Sequence, residues 1–269
     1  MTDLNDGILL FRDEAYGEHE KQRYDLALPR DRADTHGLVL CVHGGAFIAG
    51  DKDTYAGEIV MWAGRGFAAA AVNYHYVSDE IHLDTLNGDL ALALNAIWKK
   101  AAGCGTVLDR MLLTGESAGS HLALFYAYSM AQASPIRPVG VVEYCGSTLL
   151  TDRDLLHDVP ENDRAELLKW MTGVPSRPED REAQRRELLR YSPLSYVETG
   201  AVPTVICHGQ RDGTVPFSNA KALFDALLER GVETVLLAMP EGGHQLEQPE
   251  IYEESRELFR LWAERFLRN

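Results

Sequence analysis

The chain has 269 residues, 45% of them hydrophobic and 25% charged. That composition is ordinary for a globular protein, and its apolar runs fall far short of the ~20 residues that a membrane span needs. A formal net charge of −15, from 41 acidic and 26 basic side chains, repels phosphate backbones and anionic lipid, which argues against nucleic acid and membrane surfaces as partners.

Four cysteines, Cys41, Cys104, Cys145 and Cys207, lack C-x-x-C spacing. They read as buried thiols rather than disulfides or zinc ligands, so neither a metal nor an organic cofactor is implied. The first residues carry no basic stretch followed by an apolar core and a small-residue cleavage site, so the expectation is a cytoplasmic protein. At this length a single α/β domain over residues 1–269 is the natural reading.

Short β-rich runs alternate with helix-period segments along most of the chain. Strands are predicted at residues 23–28, 38–42, 67–73, 111–114, 139–144, 204–208 and 234–239. Between them, helices are predicted at residues 54–65, 83–102, 118–131, 218–230 and 251–267, with Leu86, Leu90, Leu94 and Ile97 marking one buried face of the second. This rhythm specifies an α/β fold with a mostly parallel sheet and helices on both faces. Residues 151–195 break it: they are charged, contain Trp170 and Met171, and are interrupted by Pro160, Pro175, Pro178 and Pro193. They read as a small helical, cap-like insertion before the strand at 204–208.

The chemistry concentrates at the ends of strands. Gly115-Glu116-Ser117-Ala118-Gly119 follows an apolar strand and precedes a helix-period run, the context in which a G-x-S-x-G turn projects a nucleophilic serine. The glycines leave room for a very tight turn, and the helix N-terminus adds positive potential where a substrate oxygen becomes negative. His43-Gly44-Gly45-Ala46-Phe47 follows the strand at 38–42, so the N–H groups of Gly45 and Ala46, with that of Ala118, are placed to converge on an oxyanion. A serine hydroxyl needs an imidazole base, and the base needs an acid to hold it. Asp212 follows the strand at 204–208 and His244 follows the strand at 234–239, so both arrive at the same sheet edge as Ser117. His121, four residues past Ser117, is expected to pack beneath the nucleophile rather than act as base. Glu116 is expected to turn away from Ser117.

These motifs, taken in order, resemble those of α/β-hydrolase esterases of the H-G-G type, a group that includes small bacterial carboxylesterases, acetylxylan-esterase-like enzymes and arylformamidases. The resemblance runs from about Leu38 to the C-terminal helix and includes Ser192-Pro193-Leu194-Ser195-Tyr196-Val197 before the acid strand. It implies Ser117, Asp212 and His244 as the catalytic triad and Gly45, Ala46 and Ala118 as the oxyanion hole. Ala46 stands where hormone-sensitive-lipase relatives have a third glycine, and Asn73-Tyr74-His75 stands where they often read Asp-Tyr-Arg. Those departures favour the acetyl-esterase-like or formamidase-like branches.

The resulting expectation is a serine carboxylesterase that cleaves small or short-chain acyl esters through an acyl-enzyme, its pocket shaped by Phe47, Trp170 and Met171. The same triad serves an alternative, an arylformamidase or small peptide and amide hydrolase. A more remote alternative is a non-catalytic ligand-binding protein on a hydrolase scaffold. In each enzymatic case the partner is a small-molecule ester or amide.

Overall fold

A computed structural model describes residues 2–4, 7–30, 37–151, 155–197 and 201–268. Among the described residues nine strands form one sheet: β1 (Thr2–Leu4), β2 (Ile8–Ala15), β3 (Arg23–Pro29), β4 (Gly37–Val42), β5 (Ala68–Val72), β6 (Arg110–Glu116), β7 (Arg137–Tyr144), β8 (Thr204–Gly209) and β9 (Thr234–Met239). Their order across the sheet is β1-β2-β3-β5-β4-β6-β7-β8-β9. From β5 to β9 every pairing is parallel, whereas β1, β2 and β3 join the edge in antiparallel fashion.

All seven strands expected from the sequence are present, with bounds that differ by at most two residues. The two N-terminal strands were not expected. Strand β2 opens with four consecutive apolar residues, Ile8 to Phe11, and ends among charges, so it shows neither alternation nor a full buried run. Its ladder to β3 shifts register between Phe11 and Glu14, and Asp13 sits there at φ 52°, which marks a bulge.

The central strands β4 and β5 are apolar throughout, because both faces of the sheet are covered. Successive side chains point to opposite faces. Leu38, Leu40 and Val42 of β4 therefore pack on one side with helices α2 (Leu83–Gly103), α3 (Ala118–Phe125) and α6 (Phe217–Glu229). Val39 and Cys41 point to the other, where α1 (Ala56–Gly64) and α7 (Pro249–Leu267) contribute Ile59, Trp62, Phe259 and Trp262. Strand β5 consists of four alanines and a valine.

Between β7 and β8 the insertion carries α4 (Glu161–Thr172) and α5 (Arg181–Tyr191). Gly173, at φ 71°, closes α4 in the left-handed conformation that helix C-termini favour. The helix predicted over 118–131 instead ends as α3 at Phe125, continues as a π-helical turn over Tyr126–Met130, and closes with a tight turn over Ala131–Ala133. There the Ser129 hydroxyl donates to the Phe125 carbonyl at 2.6 Å, a back-bond of the kind that loosens a helix. Cys41, Cys145 and Cys207 are buried and Cys104 partly so, and none of the four forms a disulfide among the described residues. Among the described residues no helix is long and apolar enough to cross a membrane.

Because β4, β6, β8 and β9 run parallel, their C-terminal ends open on one edge. The loops after these four strands hold every residue that the sequence marks for chemistry.

Candidate active site

Ser117 occupies the turn between β6 and α3 at φ 53°, ψ −116°. A side chain rarely adopts this backbone, and a strained residue at a strand-to-helix turn is the geometry that exposes a nucleophile. The flanking glycines are sterically required. A Cβ on Gly119 would lie 2.0 Å from the Val42 carbonyl oxygen, and one on Gly115 would lie 2.5 Å from the Gly119 carbonyl carbon. The Ser117 amide donates to the Tyr144 carbonyl at 2.8 Å, which ties the turn to β7.

His244 Nε2 lies 3.0 Å from Ser117 Oγ, and His244 Nδ1 lies 2.7 Å from Asp212 Oδ2. Asp212 is held from its other oxygen: Oδ1 accepts the Thr214 amide at 2.9 Å and the Val215 amide at 2.8 Å. Burial alone would raise the Asp212 carboxyl, but hydrogen bonds from His208 and His244, the His244 charge and the Val215 amide outweigh it and hold the group well below the usual carboxylate range. Asp212 is therefore ionised at neutral pH, as an acid that orients an imidazole must be.

The loop after β4 faces this array. Gly45, Ala46 and Phe47 all have positive φ, at 115°, 52° and 64°, and the amides of Ile48 and Ala49 both donate to the Gly45 carbonyl. That carbonyl is thereby satisfied within the loop, and Ala118 opens α3, where the first amides of a helix have no acceptor within it. Two anchors fix the loop. Tyr74 Oη donates to the His43 carbonyl at 2.7 Å. The Asn73 side chain accepts the Lys52 amide at 2.6 Å and donates to Asp51 at 2.9 Å. Tyr74 is the residue shared with Asp-Tyr-Arg, whereas Asn73 is one of the two positions, with His75, at which the sequence departs from it.

Ser117 lies between two spaces of different character. One is an open cleft of about 630 Å³ that also meets His43, Glu116, His244, Gln245 and Tyr252. The other is a cavity of about 30 Å³ closed by Phe47, Leu155, Leu156, Leu167, Met171 and Val215 among others. Of the residues expected to shape the pocket, Phe47 and Met171 border the small cavity, whereas Trp170 borders neither space. The Trp170 backbone carbonyl lies 2.8 Å from Nδ1 of His82, the residue before α2. Position 171 faces inward and position 170 does not, a one-residue rotation on α4 that a charged, weakly periodic helix leaves unspecified.

His121 is fully buried, with Nδ1 2.7 Å from the Ser147 carbonyl and its ring edge-on to Phe47 at 5.2 Å. Burial lowers its imidazole to about 4, so it stays neutral and structural. Glu116, expected to turn away from Ser117, lies along the open cleft, where burial by its surroundings and the Glu58 carboxylate push its carboxyl up. His208 is the last residue of the strand predicted at 204–208. Its Nε2 is 3.3 Å from Asp212 Oδ2, a contact that the four-residue spacing in His208-Gly209-Gln210-Arg211-Asp212 signals.

A parallel sheet flanked by helices on both faces, with a serine on a strained turn and its imidazole and carboxylate partners on later strand ends, defines an α/β-hydrolase-fold protein. More narrowly, the chain belongs to the BD-FAE family, whose model matches residues 24–227. It is 28% identical over 84% of its length to a probable isoprenylcysteine alpha-carbonyl methylesterase of Oryza sativa subsp. japonica, covering 54% of that protein. It is 27% identical over 83% of its length to the esterase LipQ of Mycobacterium tuberculosis, covering 52% of it. The chain thus spans about half the length of these curated relatives. Among solved structures, esterase B of Lactobacillus rhamnosis aligns over 97% of this chain and 87% of its own with a TM-score of 0.74 at 20% identity. A truncated carbohydrate esterase from gut microbiota aligns over 96% and 98% with a TM-score of 0.76 at 18% identity. At such identities the structural likeness speaks for the fold.

Proposed function

We propose that the protein is a serine carboxylesterase that cleaves short-chain acyl esters. In this reading Ser117 is the nucleophile, His244 the general base and then acid, and Asp212 its orienting partner. The N–H groups of Gly45, Ala46 and Ala118 form the oxyanion hole. The observation that carries it is the continuous hydrogen-bonded chain Ser117–His244–Asp212, at 3.0 and 2.7 Å, set between a small cavity and an open cleft.

Attack proceeds as His244 Nε2 accepts the Ser117 proton while Oγ bonds to the ester carbon. The imidazolium is stabilised by Asp212, and the developing oxyanion meets preorganised N–H donors, each worth ~10²–10³ in rate. His244 then gives its proton to the alcohol oxygen, the C–O bond breaks, and a water activated by His244 releases the acid.

We assign the two spaces to the two halves of the substrate. His244 must reach the leaving oxygen, and His244 borders the open cleft but not the small cavity. The alcohol therefore leaves through the cleft of about 630 Å³ and the acyl chain enters the cavity of about 30 Å³. Leu155, Leu156, Leu167 and Met171 come from the insertion, which makes it a cap over the acyl side. This division supports short acyl groups and tolerates a bulky alcohol.

The test is hydrolysis of p-nitrophenyl esters from acetyl to octanoyl by wild type and Ser117→Ala. The expected result is greatest activity on the shortest esters and a ~10⁶-fold loss of turnover in the variant. Equal rates in the two proteins overturn the assignment.

A further inference from the structure

Three adjacent strands of the parallel sheet, β7, β8 and β9, end on the same edge, and each leads into a residue with a metal-ligating side chain. Cys145 follows β7, Asp212 lies in the loop after β8, and His244 lies in the loop after β9. One ligand atom from each, the Cys145 sulfur, an Asp212 carboxylate oxygen and a His244 ring nitrogen, lie within 4.8 Å of one another. It is the one such group of three among the described residues. Two of its members belong to the triad; Cys145 takes no part in the reaction as written.

The backbone sets Cys145 in place. Its amide donates to the Cys207 carbonyl on β8 at 3.0 Å, and its φ of 52° lies in the left-handed region where glycine is the ordinary occupant. The buried thiol donates to the His244 carbonyl at 3.5 Å. A side chain held in a sparsely populated conformation beside a catalytic histidine is the kind of outlier that clusters at functional positions. Asp212 Oδ1 is taken by the Thr214 and Val215 amides, whereas Oδ2 lies 2.7 Å from His244 Nδ1, so Oδ2 is the oxygen that faces the histidine of the cluster. Cys145 and His244 both border the open cleft of about 630 Å³, which gives an ion a path from solvent and room for a water as a further ligand.

We propose that this cluster binds a thiophilic divalent cation, Zn²⁺ or Cd²⁺, and that the bound ion switches the enzyme off by taking the ring of His244. The site rests on the placement of its three ligands; the inhibition rests on the triad reading above. A thiolate, an imidazole and a carboxylate form the mixed sulfur, nitrogen and oxygen set that Zn²⁺ accepts in tetrahedral geometry, with water at the fourth position. Hard Mg²⁺ and Ca²⁺ favour all-oxygen shells and match this set poorly. At bond lengths of about 2.0–2.3 Å, ligand atoms around a tetrahedral ion stand about 3.3–3.6 Å apart, so atoms within 4.8 Å close by at most about 1.5 Å.

Binding balances in charge and protons. The Cys145 thiol gives its proton to solvent as the sulfur–metal bond forms. Thiolate and Asp212 carboxylate then offset the two charges of the ion, which a buried site requires. An ion on His244 Nε2 occupies the lone pair that accepts the Ser117 proton. An ion on Nδ1 displaces the ring hydrogen to Nε2, with the same consequence. Either way one proton leaves per ion bound, nothing is oxidised, and Ser117 loses its base.

The test uses the full chain as wild type, Ser117→Ala, Cys145→Ser and Cys145→Gly, glycine being suited to the left-handed backbone at that position. Hydrolysis of p-nitrophenyl acetate is followed against Zn²⁺, Cd²⁺ and Mg²⁺, with each rate referred to the same protein in the presence of a chelator. Cd²⁺ binding is read separately, from thiolate-to-metal charge-transfer absorption in the ultraviolet. Zn²⁺ and Cd²⁺ are expected to inhibit wild type reversibly, and Mg²⁺ at the same concentration to leave it active. Removal of the thiolate should raise the half-inhibiting concentration at least about tenfold, because even the hydrogen-bond partners of zinc ligands contribute about 10- to 100-fold. The absorption should appear in wild type and Ser117→Ala and be lost from both Cys145 variants.

A wild type indifferent to Zn²⁺ and Cd²⁺ overturns the proposal, and so does a half-inhibiting concentration that both Cys145 variants leave within about threefold of wild type. Should the variants fail to fold, wild type carries the test: thiolate absorption that saturates together with inhibition supports the site, and inhibition without that absorption overturns it. The absorption does not depend on turnover, so the two failures separate. Cys145-dependent absorption with unimpaired hydrolysis sinks the reading of His244 as base, whereas activity lost in Ser117→Ala with no such absorption in any form sinks the ion site alone.

Discussion

Met171→Ala is the substitution that most sharply tests the division of the site into acyl and alcohol halves. Met171 is buried on α4 and borders the cavity of about 30 Å³ beside Ser117. Alanine removes everything beyond Cβ and opens room for two further methylenes of an acyl chain. At ~0.8 kcal/mol per buried methylene, the transition state for butyryl transfer gains about 1.6 kcal/mol relative to acetyl. That is roughly 15-fold in the ratio of the two kcat/KM values. The truncation also costs ~2–5 kcal/mol of stability, so the assay is run below a melting temperature measured by circular dichroism for each variant. Leu167→Ala, at the same cavity, serves as a second enlargement. The readout is kcat/KM for p-nitrophenyl acetate, propionate, butyrate and hexanoate. If both variants are folded and their butyrate-to-acetate ratios stay within about twofold of wild type, the acyl chain does not occupy this cavity and the argument from His244 fails.

Other expectations follow from the same geometry. Lys52 is buried against Asp25, with Nζ 3.1 Å from Oδ1, while Arg12 holds the other carboxylate oxygen at 3.3 Å, so Lys52→Met removes one of two cations from a buried carboxylate and should cost ~1.5–3 kcal/mol in urea unfolding; a loss below about 1 kcal/mol would show the pair to be dispensable. Tyr74→Phe removes the donor to the His43 carbonyl and should cost ~1–3 kcal/mol while lowering kcat more than KM changes; unaltered kcat would mean that the loop after β4 needs no such anchor. His121 is held neutral, lowered from 6.5 to about 4. A depressed imidazole contributes stability that is present above its unfolded value and lost as pH falls through its folded one. Between pH 6.5 and 4 this amounts to about 3 kcal/mol, and His121→Gln should show a shallower acid loss in urea unfolding than wild type.

The fold was legible wherever one physical signal dominated. The parallel strands announced themselves as short apolar runs bounded by turns, and α2 by its Leu86, Leu90, Leu94 and Ile97 stripe. The N-terminal hairpin was not legible, because β2 mixes an unbroken apolar start with a charged end and bends at Asp13. The end of α3 was missed because a π-helical turn depends on one serine hydroxyl choosing a backbone carbonyl. Ser117, Asp212 and His244 stood out because each follows a strand at the same sheet edge, and the structure brings them within hydrogen-bonding distance. The pocket was harder to read. Trp170 and Met171 are neighbours on α4, and which of them faces inward depends on how the insertion docks.

The central claim is that Ser117 is the nucleophile made reactive by His244. It is tested most directly by incubating the protein with an alkyl fluorophosphonate, then measuring intact mass and mapping the modified peptide. The account predicts one adduct, on Ser117, formed in step with loss of esterase activity and greatly slowed in His244→Ala. Ester hydrolysis that survives without an adduct, or an adduct on any other residue, would contradict it.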